Sequence, residues 1–284
     1  MGTSLVVFGV ALALGLVAVV WVWRDRKATG LRDAYRLVEA GLPNERELID
    51  AAAARFEQRQ MVSTVGGALG GAVGLGVVAY VGAALPGMIW SALIATFGVG
   101  LAICWMHFRS VSAARAAGPR AASLRPRRLT DFLVWPEVVV QYGALVLPLA
   151  AIWLGVLVVT GGDRPGRGWA LLGGAAVALV IYVIALALQS RVLRLSQAAT
   201  GELELRWEEA MRAATLRELR EVMTWSCWFL GAGAAISFEY PASVPSFVEP
   251  LMLVLFGLGV VVMGVAQVLG ATKWGLRRSQ RAFG

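Results

Sequence analysis

Residues 191–221 read RVLRLSQAATGELELRWEEAMRAATLRELRE, a charged stretch set between two apolar runs. Its opening is echoed twice: residues 109–118 read RSVSAARAAG, and residues 277–284 read RRSQRAFG. Each of the three follows a pair of hydrophobic segments. A charged exit that recurs after paired apolar runs describes helical hairpins that cross a bilayer and return, an internal repeat of the kind seen in polytopic membrane proteins.

The composition agrees. Only 15% of the residues are charged and 58% are hydrophobic, where a soluble domain carries about a quarter charged, and the mean hydropathy is +0.69. A spanning helix needs roughly 20 apolar residues to cross about 30 Å of hydrocarbon. Seven stretches meet that length, at about 4–23, 61–82, 87–107, 135–159, 168–189, 222–239 and 246–270. Backbone groups cannot be left unpaired in lipid, so these are helices. The expected fold is an all-α polytopic transmembrane bundle of about seven spans. It divides into an anchor span (1–27), a cytoplasmic helical connector (28–60), a first hairpin (61–118), a basic connector with a second hairpin (119–201), and an amphipathic helix with a third hairpin (202–284).

The basic residues orient it. Eight of the 26 follow span 1, six follow span 3, six follow span 5 and four lie in the tail, which leaves Arg164 and Arg167 for the opposite side. The basic side is cytoplasmic, so the N-terminus is outside and the C-terminus inside, in a bacterial cytoplasmic membrane. MGTS has no positive charge ahead of the first span, which reads as an uncleaved anchor. A net charge of +8 then belongs to arginines meeting anionic headgroups; nucleic acid is excluded as a partner, since no recognition module accompanies the charge.

Within this frame, residues 31–40 read as a short surface helix stopped by Gly41 and Pro43. Asn44 caps the next helix with Glu47 three residues on, and that helix runs on into span 2. Span 2 carries Gly66/Gly70, Gly67/Gly71 and Gly70/Gly74 at four-residue spacing. Small residues on one face let helices approach closely in lipid, so this face packs against another span or a second copy of the chain. The run is not a nucleotide loop, which needs a following Lys and a preceding strand. Pro126 and Pro136 bracket a connector that lies along the interface, with Phe132 and Trp135 as anchors.

In the stretch quoted first, Leu203, Trp207, Ala210, Met211 and Ala214 form one stripe at helical spacing, with Thr200 as N-cap. Glu202/Arg206 and Glu208/Arg212 are four apart and support the helix. The stripe Leu203, Trp207, Met211 and Ala214 is the candidate docking element. It seats against the bundle, the membrane surface or a soluble partner.

Catalytic chemistry finds little purchase. His107 is the single histidine and Cys104 and Cys227 the only cysteines, too few for a zinc site, a bis-histidine haem or a di-iron centre. No cofactor is expected, and His107 reads as a surface residue at a span end. Lys27 and Lys273 lie at or beyond span ends, which excludes retinal attachment. No ionisable group sits at a span centre. Glu137, in reach of Arg127 or Arg128, together with Gln141, Glu239, Glu249 and Gln267, forms the nearest thing to a polar path.

ELELRWEEAMRAATLREL at 202–219 and LRPRRLTDF at 124–132 resemble a set of uncharacterised multi-pass membrane proteins of actinobacteria, often encoded near regulators of the GntR type. The similarity covers about 30 residues; where that set commonly has Tyr after the Asp of the basic connector, this chain has Phe132. It implies no activity and carries no functional residue over. The expected function is that of a non-enzymatic integral membrane protein, a transporter-associated or regulatory component that binds a cytoplasmic protein through its connector helices. The alternative is a permease, either a secondary transporter or the membrane subunit of an ABC system whose ATPase docks on residues 202–221. A lipid-modifying enzyme ranks last, for want of an acid, base or metal constellation.

Overall fold

The computed structural model describes residues 2–81, 85–116, 128–161, 165–194 and 202–236, and beyond them positions 246–248, 250, 251, 254, 257, 258, 261, 264 and 265. Among the described residues every regular element is a helix: α1 (Gly2–Glu39), α2 (Arg46–Val81), α3 (Leu85–Ala116), α4 (Leu129–Phe132), α5 (Trp135–Gly143), α6 (Val146–Gly161), α7 (Pro165–Arg194) and α8 (Glu202–Ile236). Among the described residues two stretches are long and apolar enough to cross a membrane, Trp135–Gly161 and Gly166–Arg194, with mean hydropathies of 2.3 and 2.6; Leu93–Arg109 is apolar but shorter.

Residues 31–40 are not a separate surface helix, because α1 runs through them without a break. The glycine just before them, Gly30, is used for contact: a Cβ there would lie 2.7 Å from the Ala53 carbonyl oxygen on α2. The helix ends where a left-handed residue is available. Gly41 has φ 115°, and the N–H groups of Gly41 and Leu42 turn back to the carbonyls of Val38 (2.9 Å) and Leu37 (3.2 Å). This is a Schellman closure, with Leu42 packed in the same apolar cluster as Leu37. The following helix starts at Arg46, and its first bond runs from the Ile49 N–H to the Glu45 carbonyl. Glu45, rather than Asn44, therefore occupies the capping position.

The apolar stretch 135–161 is two helices with a step at Ala144 and Leu145. Pro148 has no N–H to give the Ala144 carbonyl, and its ring crowds that oxygen. The Leu147 N–H takes the carbonyl instead at 3.2 Å, and the Leu145 N–H moves to Tyr142. The Gln141 carbonyl loses its helical donor, and the Tyr182 hydroxyl of α7 donates to it at 3.0 Å.

The main core lies where α3, α6, α7 and α8 meet. Ala175, Ala178, Ile181 and Ala185 of α7, all fully buried, pack against Leu219, Met223, Cys227 and Leu230 of α8. Alanine at these positions brings the backbones together, and the large side chains come from the neighbours. Around this core the surface is apolar, with Trp105, Leu149, Val180 and Val183 exposed.

α2 and α3 pack along glycine. A Cβ on Gly66 would lie 2.6 Å from the Gly98 carbonyl oxygen, one on Gly70 2.6 Å from that of Ile94, and one on Gly98 would run into the Gly66 carbonyl oxygen. Gly67 meets only a Val99 methyl at 3.1 Å, Gly71 only the Ala95 Cβ at 3.8 Å, and Gly74 is buried. Gly155 and Gly168 make the same kind of approach between α6 and α7. Close backbone contact thus joins both hairpins. Gly66→Ala is expected to destabilise the folded chain by about 1–3 kcal/mol, whereas Gly71→Ala removes only a flexible helical glycine and stabilises by about 0.5–1 kcal/mol. Thermal unfolding in detergent, followed by helical circular dichroism, reads both; equal effects would contradict the packing described.

Candidate functional site

Residues 217–221 of α8 read RELRE. At about 100° per residue, Arg217 and Arg220 share one side of the helix, Glu218 and Glu221 the adjoining side, and Leu219 points away from both. Leu219 fills the core. The two charged stripes face different helices, and each finds its opposite there.

The basic stripe meets Glu137 of α5. One Glu137 oxygen, Oε1, lies 3.2 Å from Arg220 Nη1 and 3.5 Å from Arg217 Nε. The other, Oε2, accepts the Val134 N–H at 2.9 Å, so the same carboxylate closes the first turn of α5. Arg217 also donates to the Phe132 carbonyl at 3.3 Å, at the end of α4. Glu137 is fully buried and Arg220 nearly so. Of the partners expected for Glu137, Arg127 lies outside the described residues; the counter-charges seen come from α8, about 80 positions away. Phe132 is not an interface anchor either, since it is fully buried with Leu133, Val192, Ala213 and Leu216. Trp135 remains 70% exposed.

The acidic stripe meets α2 and α3. Glu218 Oε1 forms an ion pair with Arg59 of α2, 2.6 Å from its Nε, and Glu218 Oε2 lies 3.1 Å from His107 Nε2 of α3. His107 is thus a buried partner of α8 and not a surface residue. Arg59 reaches Glu221 at 3.8 Å and Arg220 reaches it at 3.4 Å. Burial pulls the Arg217 guanidinium below its usual range, against the pull of Glu137. Burial likewise pushes the Glu221 carboxyl up, opposed by Arg220 and Arg59, although 36% of that side chain stays exposed.

Beside these charges lies a neutral polar link. Gln141 of α5 and Gln189 of α7 exchange amide hydrogen bonds at 2.9 and 3.2 Å, and Gln189 also donates to the Leu216 carbonyl at 3.1 Å. Gln141 is thus fully used between helices. Glu239, Glu249 and Gln267 lie outside the described residues, as does Thr200.

The stripe of α8 faces the paired ends of α1 and α2. Trp207 and Ala210 are buried with Ala34, Leu37, Leu42, Ile49, Ala52 and Phe56, and Met211 and Ala214 pack at the edge. The Trp207 indole N–H donates to the Pro43 carbonyl at 3.3 Å. Leu203 stands at 42% exposure. Ion pairs frame the cluster, Arg26 with Glu57 at 2.5 Å and Arg55 with Glu208 at 2.7 Å. Glu208 therefore pairs across to α2, while Arg212 approaches Glu209 at 3.7 Å.

The arrangement locks helices together. Among the described residues no group of three metal-ligating side chains assembles. Glu137→Ala takes away the carboxylate that Arg217 and Arg220 share; removing one partner of a buried pair costs about 3–5 kcal/mol. The expected outcome is loss of folded protein, measured as the monodisperse fraction after detergent extraction. A Glu137→Ala chain as stable as the parent would contradict the pairing. No family profile matches the chain, and neither a curated protein nor a solved structure is significantly similar to it.

Proposed function

We propose that the chain is a polytopic integral membrane protein of about seven spans, with its N-terminus outside and its C-terminus in the cytoplasm, and that it acts without catalysis as a transporter-associated or regulatory component. The resemblance to actinobacterial multi-pass proteins fits this reading. So does the apolar surface that surrounds the core.

One observation carries it. Helices α1, α2 and α8, of 38, 36 and 35 residues, run on from apolar into charged sequence without interruption, and their charged ends pack as one unit around Trp207. At 1.5 Å per residue such helices are about 52 to 57 Å long, well beyond the roughly 30 Å of a hydrocarbon core. The surplus forms a cytoplasmic platform rigidly joined to the spans. A protein bound to that platform acts directly on the membrane helices.

A permease is the second reading, favoured by a groove at the junction of platform and spans, lined by Arg59 and Glu221. A bundle sealed through its middle in every state would remove it.

Because Trp207 and Met211 face α1 and α2, Trp207→Asp with Met211→Asp is expected to abolish accumulation. The docking face is then the outer side of the platform, where Leu31 and Tyr35 are 39% and 47% exposed. A photoactivatable benzoylphenylalanine at position 35 is expected to give one discrete protein adduct in native membranes. Leu31→Asp with Tyr35→Asp should leave the level of the chain unchanged and weaken co-purification of that adduct's protein at least tenfold. Cross-linking to lipid alone would overturn the reading.

A further inference from the structure

A groove of about 280 Å³ runs between α3 and α8 next to the buried charges. Arg59, Glu218 and Glu221 line it together with Val99, Trp225 and Phe229. Glu218, Glu221, Trp225 and Phe229 follow one another along one side of α8 at helical spacing. The groove is therefore graded, from charged at one end to aromatic and then apolar at the other.

The charges lining it are unequal. Glu218 is 4% exposed, with Arg59 2.6 Å from one oxygen and His107 3.1 Å from the other. Arg59, so engaged, approaches Glu221 only at 3.8 Å, and Arg220 approaches it at 3.4 Å while serving Glu137 at 3.2 Å. Glu221 has the longest ion-pair contacts of the set, at 3.4 and 3.8 Å, and is the most exposed, at 36%. One turn along, the Trp225 ring lies 5.6 Å from that of Phe229, tilted by 30°. Carboxylate and aromatic faces both attract a cation, and an ammonium over a Trp face gains about 0.5–2 kcal/mol as water is excluded. An anionic headgroup would instead face two carboxylates and one guanidinium already taken.

We propose that this groove binds a lipophilic cation, its ammonium seated between Glu221 and Trp225 and its apolar body lying against Val99 and Phe229. The site deepens the function proposed above by naming a ligand class. It rests on that reading only for the membrane placement of α3 and α8.

The test uses the full chain in neutral maltoside micelles and decyltrimethylammonium carrying a diazirine at the end of its tail. Photolabelling is expected on the peptides containing residues 95–103 and 222–229. Unlabelled decyltrimethylammonium displaces the probe and decyl phosphate does not. Glu221→Gln, which preserves shape, raises the half-displacing concentration about tenfold, and Trp225→Leu acts in the same direction. Displacement by decyl phosphate at equal concentration, labelling spread over all the helices, or a Glu221→Gln chain that binds like the parent would each overturn the proposal. The Leu31→Asp, Tyr35→Asp chain keeps its labelling in either case, so failure of the partner reading and failure of the ligand site are distinguished.

Discussion

Glu137, Glu218 and Glu221 share one slab of the interior with Arg59, Arg217 and Arg220, and the position of α8 follows from that matching. Charges removed from water cost several kcal/mol each unless opposite charges meet them closely. Only one rotation and one height of α8 present its arginines to α5 while its glutamates reach α2 and α3. A slide by one residue would turn each stripe by about 100° and leave it facing the wrong helix. Apolar packing alone would tolerate such slippage, because Leu, Met and Val surfaces are nearly interchangeable. The charges give little net stability and much register.

Glycine and proline provide the complementary part. Contacts of Gly66 and Gly70 with α3 bring the first hairpin together at backbone distance, a form of attraction that works in lipid, where apolar surface has no water to escape. Pro148 releases the Gln141 carbonyl to Tyr182, and the Gln141 side chain, facing Gln189, ties α5 to α7. The kink thereby becomes a point of attachment. Packing joins helices within hairpins; polar groups join the hairpins to α8.

Much of this is legible in the sequence, for reasons that can be named. Length and hydropathy give helices, and four-residue glycine spacing marks a close-packed face, because both are local properties of one segment. Glu137 and Gln141 stand out as polar groups among apolar ones. Their partners do not, since Arg220 and Gln189 are distant in sequence and only the fold brings them near. His107 reads as a surface residue because its partner Glu218 lies on another helix. The arginines and glutamates of RELRE resemble a solvated helix until their separate stripes are drawn. The join between span 1 and residues 31–40 is missed for a different reason: the charges after span 1 read as the end of a helix, whereas α1 continues through them and Gly30 is a contact with α2.

In the proposed topology, α8 passes without a break from a cytoplasmic platform into the membrane, carrying its charged layer at the boundary. Single cysteines placed in a Cys104→Ser, Cys227→Ser background, probed with a membrane-impermeant maleimide, test it most directly. Leu203→Cys, on the exposed start of α8, is predicted to react only in inverted vesicles. Gly166→Cys, where a side chain meets open space, reacts only on intact spheroplasts. Positions beyond 222 in α8 react from neither side. Labelling of Leu203→Cys and Gly166→Cys from the same side, or steady reactivity along α8 past residue 222, would contradict the account.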